Sequence, residues 1–227
     1  LFLGNDLLCN GDGGLRLLRD ADGDGRWDGR ATREEWMKVN HPEHGANGLV
    51  QGPYGWIYMI CGNDAGVTPQ HATSDTSPIH EHVGGTLLRI SPDGSQTQIV
   101  AHGFRNPYDI DFTQEANVLT VDSDGERDQY LPWYSPTRMF DIAIGQQHGW
   151  LLRGWQRSWN RPESFFDNVQ RLAELGRGSP TGLVVYRHHQ FPEEYRNSAL
   201  SACWTLGRVY HIPLVNDGAS YARAEPE

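Results

Sequence analysis

Short apolar runs separated by glycine- and proline-bearing turns recur along this 227-residue chain. Residues 48–61 hold two such runs around Gly52, Pro53, Tyr54 and Gly55, and residues 85–94 and 96–100 repeat the form around Pro92, Asp93 and Gly94. A third pair covers 108–112 and 117–122, and a fourth series runs from 182–186 through 199–204 to 208–214. Runs this short, bounded by turn formers, predict strands joined by hairpins. Residues 15–18 also read as a strand. Helical spacing shows in two places. Residues 32–39 carry a turn or two, and within 164–175 Phe165, Phe166, Val169, Leu172 and Leu175 fall at roughly helical intervals. The second stretch reads equally as an irregular connection. Mostly antiparallel sheet is the expectation.

The paired-strand unit recurs near 48, 108 and 182, at intervals of about 60 and 74 residues, wider than the ~40–50 of compact propeller blades. Long insertions between strands account for the difference. Radial repetition of four-stranded sheets is one way an all-β chain protects its sheet edges; a sandwich is the alternative that the pattern leaves open.

Composition narrows the function classes. Eight Trp and nine Tyr exclude a disordered chain. The formal charge is −10 and lysine occurs once, as Lys38, so the basic face that nucleic acid demands is missing. No apolar run approaches the length of a transmembrane helix. Cys9, Cys61 and Cys203 form no metal or haem motif, and the latter two lie in apolar runs as small hydrophobes. A first residue of Leu and a polar end over 217–227 are read as one domain, residues 1–227, cut from a longer chain at both ends.

Four groups of residues carry candidate chemistry. Asp20, Asp22, Asp24 and Asp28 stand at positions 1, 3, 5 and 9 of a calcium loop with Gly25 at the sharp turn. Position 12 is Ala31 and the flank is a strand, so this is no helix-loop-helix; the alternative is a solvated acidic turn. His44 lies among small residues just before an apolar run and suits a general base, or is a loop histidine bonded to backbone. Asn63 and Asp64 are placed to orient its ring. Arg105 and Asn106 precede Pro107, which holds Asn106 extended; the guanidinium fork reads a carboxylate or an ortho-quinone oxygen, or pairs with Asp109 or Asp111. Asp122, Asp124, Glu126 and Asp128 follow, and Gly125 lets that loop fold carboxylates around calcium. His80, His82, His188 and His189 lack a third ligand at motif spacing. The glycine–serine and phosphate-loop signatures of hydrolases and nucleotide enzymes are missing.

Residues 44–58, the run from Gly103 to Tyr108, and residues 178–183 with Phe191 and Pro192 resemble the glucose/sorbosone dehydrogenase family, soluble quinoprotein six-bladed β-propellers that use pyrroloquinoline quinone (PQQ) and calcium. Residues 131–138, Gly149 with Trp150, and 20–25 are similar to a bacterial branch called membrane-bound dehydrogenases, in which the propeller precedes helical repeats and a c-type haem domain. The resemblance covers about 5–225. It implies a partial ring of about four blades in an extracytoplasmic or periplasmic protein. It further implies His44 as catalytic base, Arg105 and Asn106 against the quinone, Asp64 beside the cofactor, and a second calcium site at Asp122 and Asp124. Asn63 stands where the family's supporting carboxylate follows Gly62, Tyr108 replaces a glutamine, and Thr205 stands where a lysine reaches the cofactor.

Three functions follow as expectations. The first is PQQ-dependent oxidation of a sugar or other alcohol, with a haem domain as electron acceptor. The second is a non-catalytic, calcium-stabilised propeller that binds carbohydrate or a protein partner. A calcium-dependent lactonase ranks last, because no convergent set of acids and amides is identifiable.

Overall fold

The computed structural model describes residues 1–11, 13–29, 33–40, 43–150 and 165–224. Antiparallel strands follow one another in sequence order. The first sheet orders β1 (Phe2–Leu3), β2 (Asp6–Gly11), β3 (Gly14–Leu18) and β4 (Arg33–Lys38). The second orders β5 (Ala46–Gln51), β6 (Ile57–Cys61), β7 (Gly85–Ile90) and β8 (Thr97–Phe104). The third holds β9 (Ile110–Phe112), β10 (Val118–Asp122), β11 (Thr137–Asp141) and β12 (Ala173–Gly176), and the fourth β13 (Pro180–Tyr186), β14 (Ser198–Cys203) and β15 (Arg208–Ile212). A hairpin of β16 (Leu214–Asp217) and β17 (Ser220–Arg223) follows. It is tied back to the third sheet by Ser220 to Asp141 at 2.8 Å and by the Tyr221 hydroxyl to Glu115.

The apolar side chains show how the sheets stack. One buried cluster joins Leu8, Leu15 and Leu17 of the first sheet to Ile57, Met59 and Leu88 of the second. Another joins Ile60, Leu87 and Phe104 to Ile110, Phe112 and Phe140 of the third, and a third cluster joins Leu119, Val121 and Met139 to Leu183, Val185 and Ala199 of the fourth. Alternate residues of each strand therefore feed the cores on its two sides, as stacked sheets require. The first strands of the second, third and fourth sheets, β5, β9 and β13, lie side by side, and β5 also meets β2 of the first sheet. Asp109 and Asp111 fasten β9 to β13 by accepting the Leu183 and Val185 amides at 3.2 and 2.7 Å, which satisfies backbone donors at the inner edge. The result is a β-propeller, all-β, with about four blades in this chain.

Two sequence expectations change. The stretch predicted as helical turns over 32–39 is strand β4, because pairing with β3 from Gly14 to Leu18 outweighs the helix propensity of Glu34, Glu35 and Met37; Thr32 lies outside the described residues. In 164–175 the described part is a turn, an isolated bridge at Asn168 and the start of β12; Ser164 lies outside it. Val169, Leu172 and Leu175 pack against the sheet cores while Phe165 and Phe166 are exposed, so the five form no helical stripe.

In an antiparallel meander the loops that follow every second strand share one end. The connections after β4, β6, β8 and β10 therefore gather at one face and carry His44, Asn63, Asp64, Arg105, Asn106 and Asp124, with Asp122 at the end of β10. The loop of Asp20, Asp22, Asp24 and Asp28 instead follows β3, at the other end. Among the described residues no helix is long and apolar enough to cross a membrane.

Candidate active site

Three of those loops meet at Gly62. A Cβ there would fall 2.6 Å from the His44 carbonyl oxygen and 3.1 Å from that of Arg105, so glycine permits the close approach. Backbone bonds lock the junction. Gly62 donates to the Gly45 carbonyl at 2.8 Å, Asn63 to that of Arg105 at 2.8 Å, and Asp64 to that of His44 at 3.0 Å. His44, Asn63, Asp64 and Arg105, far apart in sequence, are thus brought together.

The imidazole is oriented by a short relay. His44 Nδ1 lies 2.7 Å from Asn63 Oδ1, and Asn63 Nδ2 donates to Asp64 Oδ1 at 3.0 Å. A carboxylate only accepts, so Asp64 turns the Asn63 amide nitrogen toward itself and the carbonyl toward the ring. Nδ1 then carries the hydrogen, and Nε2 keeps its lone pair. The second oxygen of Asp64 is 3.8 Å from Nδ1. Side chains therefore orient this histidine: it is not a loop residue bonded merely to backbone.

Arg105 is buried and densely held. Nη1 donates to Ser123 Oγ at 2.8 Å, Nη2 pairs with Glu126 at 2.5 Å, and the guanidinium carbon lies 5.4 Å from the Trp150 ring centroid. The expected partner Asp109 or Asp111 is replaced by Glu126, since those two aspartates face the fourth blade. Behind Arg105, the fully buried Asp122 accepts the amides of Arg105 (2.9 Å), Asn106 (2.8 Å) and Ser123 (3.0 Å), and the Arg138 guanidinium at 3.3 Å. It fixes the turn that presents Arg105 and Asn106. Arg138 is itself fully buried, and desolvation lowers its affinity for its proton while Asp122 opposes this.

Asp124 accepts the Tyr134 hydroxyl at 2.7 Å. Burial raises its carboxyl above the ordinary range, against the hydrogen bond from Tyr134 and with Glu126 adding repulsion. Nearby, His148 stacks on Phe104 at 4.3 Å, and burial pushes its ring down to about 3. Several buried polar atoms here have no partner among the described residues: Asn106 Oδ1, Asp128 Oδ2, Arg138 Nε, His148 Nε2 and Trp150 Nε1.

The acidic residues do not form one centre. Oxygen atoms of Asp20, Asp22 and Asp28 lie within 4.8 Å of one another. Asp24, Asp122 and Asp124 join no such group among the described residues. Asp20 also accepts the amides of Gly23, Asp24 and Gly25 at 2.9, 3.1 and 2.9 Å, which shapes the loop by itself. Ala31 lies outside the described residues. Sequence reasoning missed the roles of Ser123, Glu126 and Trp150 around Arg105. The sequence signal for Glu126 was its acidic cluster, and for Trp150 its glycine-flanked position.

Solved structures share this fold. The PQQ-bound aldose sugar dehydrogenase of Streptomyces coelicolor superposes with a TM-score of 0.60 at 18% identity, covering 97% of this chain and 60% of its own. A glucose dehydrogenase gives 0.63 at 16% identity, with 96% and 66% covered. A Thermus thermophilus oxidoreductase of the glucose dehydrogenase type gives 0.61 at 18%, with 94% and 62% covered. The chain thus spans under two thirds of these structures, and at such identity the likeness is one of fold. No curated protein matches it. A family model matches residues 2–227, and the chain belongs to that family, the domain of unknown function DUF7133.

Proposed function

We propose that this propeller oxidises a sugar or other alcohol with PQQ as cofactor, His44 acting as base. The observation that carries the reading is the meeting of an oriented imidazole and the Arg105–Asn106 turn at one glycine. Support also comes from the shared fold of the Streptomyces coelicolor aldose sugar dehydrogenase, whose structure is of the PQQ-bound form.

The residues present suit an anionic quinone in two respects. Arg105 offers a guanidinium, and Trp150 Nε1, an N–H donor buried without a partner among the described residues, is free to donate to a ligand oxygen. Arg105 and Asn106 would hold the cofactor, with Asp64 at its side. When bound, PQQ supplies the hydride acceptor. The chain's own contribution is proton handling and positioning. His44 Nε2 takes the hydroxyl proton of the substrate, Asn63 holds the opposite ring nitrogen protonated, and Asp64 holds Asn63. Asp122 keeps the Arg105–Asn106 turn rigid. Calcium at Asp20, Asp22 and Asp28 would brace the first blade, with Asp24 beside them. Asp122, whose two oxygens already accept three amides and the Arg138 guanidinium, does not fit a further ion. The haem-domain acceptor and the extracytoplasmic setting belong to the same proposal. His44→Gln tests the reading: turnover with PQQ, calcium and an aldose is expected to fall by about 100-fold or more, with the fold retained by circular dichroism. Unchanged turnover overturns it.

A second reading has its own support. Glu126 already pairs with Arg105, Asn63 replaces the carboxylate that supports the family's base, and Tyr108 and Thr205 replace residue types beside the cofactor. A non-catalytic propeller binding carbohydrate or protein would keep the fold and the calcium loop alone. It predicts that calcium raises the melting temperature while PQQ does not.

A further inference from the structure

A second recess lies at the seam of the first two blades, on different strands from His44 and Arg105. It is a cleft of about 230 Å³ lined by Trp36, Lys38, Gln70, His71, Thr73 and Thr97, with Met37 at its base. Its aromatic wall is placed by a β-bulge. In the β3–β4 ladder Leu15 pairs with Met37 and Arg16 with Glu35, which leaves Trp36 as the extra residue. Bulges re-aim a side chain out of the alternation of the strand. Met37 therefore enters the core while the Trp36 indole crosses to the second blade. There it lies over Gly94, where a Cβ would come within 2.6 Å of the ring.

The opposite wall is pinned. His71 Nε2 donates to the Lys38 carbonyl at 2.8 Å, and its Nδ1 accepts the Thr68 amide at 3.0 Å. Thr73 donates its amide to the Thr97 carbonyl at 3.0 Å, and its hydroxyl accepts the Thr97 amide at 2.8 Å. A recess fixed on both sides needs little reordering to bind. Its charge is distinctive. Lys38 is the sole lysine of a chain with net charge −10, and it enters no ion pair among the described residues. Among the described residues no carboxylate lines the cleft. Nearby Glu34 is held by Arg19 at 2.9 Å and by the Trp36 indole N–H at 3.4 Å, and Glu35 by Arg16 at 3.5 Å. An unpaired ammonium beside an indole, with a carboxamide and hydroxyls around it, is complementary to a ring that carries hydroxyls and one negative charge.

We propose that this cleft binds a sugar acid of the hexuronate type, its ring against Trp36 and its carboxylate at Lys38. The test titrates the protein with D-glucuronate and with D-glucose, following the Trp36 indole N–H by NMR. Glucuronate is expected to shift that resonance saturably at millimolar concentration, with glucose about 10-fold weaker, a difference of about 1.4 kcal/mol. Lys38→Met, an exposed change that leaves the core intact, is expected to bring glucuronate down to the level of glucose. Trp36→Ala is expected to abolish both, read from heat of binding. No shift at millimolar glucuronate overturns the site. Equal affinity for the two sugars, or affinity unchanged in Lys38→Met, overturns the acid assignment and leaves Lys38 as protection for the β4 edge. None of these outcomes depends on PQQ.

Discussion

The two halves of the candidate active site are built on opposite terms. The His44 half is a chain of short polar contacts at the loop surface, and it ends in a ring nitrogen with its lone pair free. The Arg105 half is buried and self-satisfied, with Glu126, Ser123 and Trp150 around the guanidinium and Asp122 with Arg138 beneath it. On the proposed reading one half acts on a ligand, while the other holds its own geometry and would exchange an internal partner to receive one. Rigidity at the base and reactivity at the rim are thus divided between neighbouring loops.

The division breaks most severely at Asp122. Asp122→Ala strips Arg138 and three amides of their acceptor inside the fold, and a buried guanidinium left alone costs about 3–5 kcal/mol; urea denaturation should show that loss, while His44→Gln should lose less than about 1 kcal/mol in the same assay. On activity the order reverses. Asn63→Leu, which leaves the ring in place but removes the acceptor at Nδ1, should reduce turnover about 10-fold or more, with partial recovery in Asn63→Asp, measured by dye-linked oxidation of an aldose.

Acid sharpens the same contrast. His148 binds its proton far less readily in the folded chain, about 3, than in the unfolded one, near 6.5. The unfolded state takes up the proton first as pH falls, so this contribution is complete above the unfolded value and is lost as pH drops toward about 3. Denaturation midpoints should decline through that window, and His148→Phe should flatten the decline. The smallest effect belongs to Glu126→Gln. The Glu126 carboxylate is half exposed, so stability should change by less than about 1 kcal/mol, yet anionic quinone should bind about 10-fold tighter once the internal carboxylate is neutral, read by fluorescence quenching.

Much of the fold was legible because its signals are local. The turns at residues 52–55 and 92–94 carry their own chemistry, and the hairpins they join stand where the apolar runs placed them. Strand β4 was misread because Glu34, Glu35 and Met37 favour a helix in isolation, and only pairing with β3, more than a dozen residues earlier, overrules them. Site positions followed the same rule. His44, Asn63 and Arg105 were visible from residue type, spacing and resemblance. The partner of Arg105 was not: sequence offered Asp109 and Asp111 as nearer acids, whereas the inner-strand amides of Leu183 and Val185 claim both and leave Glu126 to the guanidinium. The bulge at Trp36 is a matter of register, which no single strand encodes.

The central claim is that the Arg105 half accepts a quinone that the His44 half then serves. The direct measurement is an absorbance titration of the protein with PQQ in calcium-containing buffer, repeated with Arg105→Ala. The account predicts a saturable spectral change in the native protein that is lost in the variant; no change at saturating PQQ, or an equal change in both proteins, would contradict it.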